Sequence, residues 1–105
     1  MASNPWIARM ADEIVRRFHP LRVILFGSHA RGDAGADSDV DLLAVLSEVP
    51  DKRRAAIEIR WALAGFPVPK DIIVTSLAEI AARGHLVGTV LRPALREGKV
   101  LYERT

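Results

Sequence analysis

The apolar run Val23-Ile24-Leu25 ends at Phe26-Gly27-Ser28, and after ten intervening residues the chain turns apolar again as Asp39-Val40-Asp41-Leu42-Leu43. A short apolar run closed by a turn signal reads as a buried strand, Arg22 to Phe26, entering a tight turn where glycine lets the backbone bend or approach a ligand closely. The second run, Asp39 to Val45, reads as a strand that opens with two carboxylates. Residues two apart on a strand leave the same face, which sets the Asp39 and Asp41 α-carbons about 7 Å apart. Aspartate is a poor strand former, and an acidic pair entering an apolar strand costs stability until a cation neutralises it. Such a local violation marks a candidate site.

The remaining pattern supplies a frame for this segment. Asn4 is a candidate N-cap, Pro5 suits the first helical position, and Ile7, Met10, Ala11, Ile14, Val15 and Phe18 recur at helical spacing until His19-Pro20. Residues 29–38, rich in glycine, aspartate and alanine, predict a short helical turn and then a loop. Ala55, Ala56, Ile59 and Leu63 predict a helix from Asp51 to Leu63. Gly65, Pro67 and Pro69 then break the chain before a third strand, Asp71 to Val74. Ser76 and Glu79 match a reciprocal capping box that opens a helix to about Arg83, with Gly84 as its end. Val87, Val90, Leu91, Ala94 and Leu95 again have helical spacing, and Pro93 must kink that helix or lie near its start. Gly98 is a C-cap candidate before Val100 to Tyr102, expected as an edge strand. The order predicts one α/β domain over residues 1–105, a small mixed sheet flanked by helices, without linker or internal repeat.

Composition narrows the function. The chain has 15 basic and 13 acidic residues, a net charge of +2 that is too small for an electrostatic footprint on DNA or RNA. It has no cysteine, which excludes disulfides, thiolate nucleophiles and cysteine zinc sites. No run approaches the roughly 18 apolar residues of a membrane span, and Met1 to Met10 lacks the layout of a secretory signal. A soluble, cytoplasmic protein is expected.

The chemistry suggested by the acidic strand is that of hard oxygen ligands for magnesium or manganese, two of which, about 4 Å apart, can clamp the entering and leaving oxygens of a phosphoryl displacement. Gly27-Ser28, at a strand-to-helix turn, offers backbone amides and a hydroxyl to phosphate oxygens. A P-loop is the rival reading, since Gly27 and Gly32 have the G-x-x-x-x-G spacing. It fails because Asp33-Ala34 stand where lysine and serine or threonine are required.

Glycine-serine, ten residues and then D-x-D is the pattern of the DNA polymerase beta-like nucleotidyltransferase superfamily, which this segment resembles at every defined position. Leu25 to Val45 is most similar to its minimal nucleotidyltransferase (MNT) branch, small proteins that pair with HEPN-domain partners in toxin-antitoxin modules. The resemblance implies the fold of that superfamily and assigns Gly27 and Ser28 to the nucleotide triphosphate. Asp39 and Asp41 are implied as holders of Mg2+, or Mn2+ in its place. A third carboxylate on a later strand, implied at Asp71, helps bind metal and accepts the acceptor's proton. The implied activity is transfer of AMP from ATP to a tyrosine hydroxyl of a HEPN toxin, by an antitoxin working in a hetero-oligomer. Two alternatives stand beside it: an antitoxin that only occludes its HEPN partner, and transfer to a small molecule such as an antibiotic, for which the chain offers no added helical domain. His29 departs from the arginine or tyrosine common after the serine in relatives, and Lys70 is expected to neutralise part of the Asp71 charge.

Other polar features are expected to be ordinary. Asp33 and Asp37 read as loop residues bonding their own backbone, and Arg31 as either a surface or a phosphate contact. His19, His29 and His85 lack the spacing of a zinc site. Lys52-Arg53-Arg54 reads as a solvated face, and Trp6 and Trp61 as packing residues.

Overall fold

The computed structural model describes residues 4–35, 37–83 and 91–104. In chain order the elements are α1 (Pro5–Phe18), β1 (Arg22–Phe26), α2 (Ser28–Arg31), β2 (Val40–Leu46), α3 (Lys52–Ala62), β3 (Lys70–Ser76), α4 (Leu77–Arg83), α5 (Leu91–Glu97) and β4 (Lys99–Glu103). The strands form a four-stranded mixed sheet in the order β3-β2-β1-β4. β1 runs antiparallel to both β2 and β4, whereas β2 and β3 are parallel and joined through α3. This is the helix-flanked mixed sheet expected from the sequence.

Helix α1 starts and stops where its residues dictate. Asn4 Oδ1 accepts from the Trp6 amide at 2.8 Å, and His19, at φ 50°, closes the last turn by donating its amide to the Val15 carbonyl at 3.1 Å. Its buried stripe, Ile7, Met10, Ala11 and Ile14, packs with Ile59 and Leu63 against Val23, Leu25, Val40, Leu42, Ala44, Ile72 and Val74 on one face of the sheet. The alternate strand residues Ile24, Leu43 and Val45 meet Leu91 and Ala94 of α5 on the other face, with Phe26, Ile73 and Ile80 alongside. Covering both faces explains why β2 is apolar at consecutive positions. Each fully buried aliphatic side chain contributes about 1.5–3 kcal/mol of transfer free energy.

Several boundaries depart from the sequence expectation. β2 begins at Val40, not Asp39, because the ladder opens with the Val40 amide donating to the Pro69 carbonyl at 2.9 Å. β3 extends past Val74 to Ser76, and Thr75 is fully buried. The Ser76–Glu79 box is half formed: Ser76 Oγ accepts from the Glu79 amide at 3.2 Å, but the Glu79 carboxylate accepts from the Thr75 hydroxyl and from Lys52. Pro93 lies within α5, third of its described residues, and Gly98 donates to the Ala94 carbonyl as a C-cap. The expected helix end at Gly84 and the positions Val87 and Val90 lie outside the described residues. Trp6 packs edge-on against Phe66, but Trp61 is 79% exposed and is not a packing residue. No described helix is long and apolar enough to cross a membrane.

Candidate active site

The sheet topology gathers the residues singled out in the sequence. Since β1 is antiparallel to β2, the end of β1 lies beside the start of β2, and Phe26 is paired with Asp41. Since β2 and β3 are parallel, Asp41 is also in register with Asp71. Neighbouring strands are about 4.8 Å apart, and strand alternation puts both carboxylates on the face that carries Leu43 and Ile73. Gly27, Asp41 and Asp71 therefore stand side by side along one end of the sheet.

Gly27 is fixed by two independent constraints. Its backbone, at φ 73° and ψ −154°, lies in a region that only glycine enters without strain. A Cβ at this position would fall 2.2 Å from Asp41 Oδ2, so the turn is packed directly against the carboxylate. Ser28 opens α2, where the first amides of a helix lack internal acceptors. The Gly27 carbonyl accepts from Ala30 and Arg31, and Gly32, at φ 85°, ends the turn by donating to the Ser28 carbonyl.

The electrostatics centre on Asp41. Burial pushes its carboxyl above the ordinary aspartate range, the negative charges of Asp71 and Asp39 push it further, and His29 and Arg31 pull it back in part. Asp39, just before β2, is exposed, while Asp41 and Asp71 are half-buried. Among the described residues no three potential ligands form a ready-made metal cluster. The donor set nevertheless fits a hard divalent cation: oxygen ligands only, and adjacent like charges whose repulsion a cation relieves.

Two side chains shape the site in ways the sequence did not disclose. Arg60, in the last turn of α3, donates to Asp71 Oδ1 at 3.3 Å. Lys70, the expected neutralising neighbour, instead donates to the Phe66 carbonyl at 3.2 Å, because successive strand residues point to opposite faces. His29 Nε2 donates to the Ser38 carbonyl at 3.1 Å and ties the loop before Asp39 back to α2, which requires the proton on Nε2. Arg31 pairs with Asp33 at the surface. Lys52 and Arg54 pair with Glu79 and Glu58, consistent with a solvated basic face.

Comparison with known proteins gives the family and the fold. The family described as "Nucleotidyltransferase domain" matches residues 7–94. A curated relative from Methanocaldococcus jannaschii, named "Putative protein adenylyltransferase", is 39% identical over 56 residues, which span 53% of this chain and 56% of that protein. Among solved structures, a "putative nucleotidyltransferase" from Sulfolobus solfataricus superposes with a TM-score of 0.59 at 23% identity, over 92% of this chain and 77% of that one. A toxin-antitoxin structure with AMP-PNP gives a TM-score of 0.66 at 20% identity, covering 93% and 74% of the two chains. The toxin-antitoxin MntA-HpeT, carrying two aspartate-to-glutamate substitutions, gives 0.64 at 15% identity, covering 92% and 73%. At these identities the structural likenesses establish the fold. The family match covers most of the sequence, so the chain belongs to the nucleotidyltransferase domain family.

Proposed function

We propose that this chain is the catalytic module of a protein adenylyltransferase, transferring AMP from ATP to a hydroxyl group of a partner toxin. The observation that carries the reading is the contact between the Gly27 backbone and Asp41, with Asp71 in register beside it: a phosphate-binding turn and an acidic pair meet at one end of the sheet. The adenylyltransferase name of the archaeal relative, AMP-PNP in one structural neighbour and the toxin-antitoxin character of two neighbours support the donor and the kind of acceptor. The HEPN class of the toxin, the tyrosine acceptor and Mg2+ as the metal rest on the motif resemblance.

In this reading Ser28 and the first amides of α2 bind the triphosphate, and Gly27 leaves room for it. Asp39 and Asp41, joined by Asp71, would hold the divalent cation, which would supply positive charge against the charge developing on the phosphates. The acceptor oxygen forms a bond to the α-phosphorus, the bond from that phosphorus to the bridging oxygen breaks, and pyrophosphate leaves. Asp71 accepts the proton of the acceptor hydroxyl.

The test is label transfer with purified protein, Mg2+, ATP labelled at the α or γ phosphate, and extract of the source cells. Label from the α position alone, lost in Asp39→Ala/Asp41→Ala, is the expected result and identifies the acceptor band. No label from either position while a toxin still co-purifies with both wild type and variant would overturn transfer in favour of neutralisation by binding alone.

A further inference from the structure

Arg60 occupies an unusual place for a surface arginine. Its helix, α3, packs on the sheet face opposite the site through Ile59, and β3 is an edge strand, so the side chain meets Asp71 around the edge of the sheet. The guanidinium takes Asp71 Oδ1 at 3.3 Å, an oxygen of the carboxylate that stands in register with Asp41. The other cation adjacent in sequence, Lys70, is engaged elsewhere. Both partners are open to solvent, with side chains 55% and 48% exposed, so the pair is weak and exchangeable.

A carboxylate has two oxygens, and a guanidinium held on one of them draws off negative charge and fixes an orientation that a hard divalent cation would otherwise share. We infer that Arg60 is a positioning residue that competes with the divalent cation for the charge and orientation of Asp71, so that the third carboxylate joins the acidic pair less tightly while the Arg60–Asp71 contact is made. This rests on the reading of Asp39, Asp41 and Asp71 as metal-holding residues. The contact then acts as a mild brake: while it is made, Asp71 is partly neutralised and turned toward the arginine. The effect is modest, because an exposed pair weakens a competing ligand by about two- to five-fold, or about 0.4–1 kcal/mol at about 1.4 kcal/mol per factor of ten.

The experiment measures Mn2+ binding to the full chain by the electron paramagnetic resonance signal of free Mn2+, in wild type, Arg60→Gln, Asp71→Asn, the double variant and Asp39→Ala/Asp41→Ala. Circular dichroism establishes that each variant is folded. The expected result is two- to five-fold tighter Mn2+ binding in Arg60→Gln and no effect of that substitution once Asp71 is asparagine. Unchanged or weaker binding in Arg60→Gln overturns the proposal. So does an equal gain in both backgrounds, which would mean that Arg60 acts through its general field and not through Asp71. If Arg60→Gln fails while Asp39→Ala/Asp41→Ala abolishes binding, only the role of Arg60 falls. If the aspartate variant binds Mn2+ as wild type does, the metal reading falls with it.

Discussion

Replacing Gly27 with alanine tests the contact on which the site is built. Any residue with a Cβ placed at φ 73° and ψ −154° carries about 1–3 kcal/mol of backbone strain. The added methyl would also lie 2.2 Å from Asp41 Oδ2 and 3.2 Å from its Cγ, so the carboxylate has to leave its rotamer, at a further cost of about 0.5–1.5 kcal/mol. The expected loss is about 2–4 kcal/mol, which at about 4–8 °C per kcal/mol for a domain of this size lowers Tm by roughly 10–30 °C. Urea unfolding followed by circular dichroism measures it. The two contributions separate in an Asp41→Ala background, where the nearest atom left is the side-chain Cβ at 3.5 Å, an ordinary contact. There Gly27→Ala should cost only the backbone part, a coupling of about 0.5–1.5 kcal/mol between the two sites. A total loss below about 0.5 kcal/mol, or an identical loss in both backgrounds, would refute the reasoning.

Three further outcomes follow from the same structure. Asp41→Asn should stabilise the fold at pH 7 while abolishing the proposed AMP transfer, read by the label assay. Burial and the charges of Asp71 and Asp39 raise the folded-state pKa of Asp41, so its contribution makes wild-type stability fall as pH rises from about 3.9 through the raised value. Urea titrations at several pH values should therefore find the advantage of asparagine growing from acid to neutral pH, and a shrinking advantage would contradict the assignment. Thr75→Val removes a hydroxyl that donates to Glu79 Oε1 at 2.7 Å from a fully buried position, and should cost about 0.5–1.5 kcal/mol. The Glu79 carboxyl is held below its ordinary value by Lys52 first and Thr75 second, so it should titrate higher in that variant by carbon-detected NMR. Stability tied to that group is present above about 4.3, its unfolded value, and is lost as pH falls through the lower folded one, a dependence the variant should weaken. Trp61→Ala should change stability by no more than about 0.5 kcal/mol, because the ring is 79% exposed, and a loss above about 2 kcal/mol would contradict that exposure.

Punctuation made most elements legible in the sequence. β1 has the bounds expected from Pro20 and Gly27, and α1 those expected from Asn4-Pro5 and His19-Pro20. Composition was a poorer guide where a polar residue is buried through a partner distant in the chain, as at Thr75, and β3 was expected too short for that reason. Trp61 misled by its size. It lies two residues from buried Ile59, about 200° around the helix, and so faces away from the core. Gly27, Asp39 and Asp41 could be singled out because a glycine-serine turn and an acidic strand opening break local rules, whereas Asp71 was implied only by the resemblance to nucleotidyltransferases. Arg60 breaks none: a helical arginine looks the same in sequence whether it faces water or reaches a carboxylate around a sheet edge.

The parallel register of β2 and β3 also bears on the order in which the molecule is built. Gly27, Asp39 and Asp41 come together through the nearby β1–β2 pairing, but Asp71 reaches Asp41 only after the whole of α3 has been made and folded back across the sheet. Pairings that close long loops form slowly, since their entropy is lost before contacts reward it. During synthesis the growing chain thus holds the Gly27 turn and two carboxylates before it holds the third, and the candidate site is completed by one of the later pairings of the sheet. Protection of the β3 amides against hydrogen exchange would report chains that have finished folding, separately from those that have only collapsed.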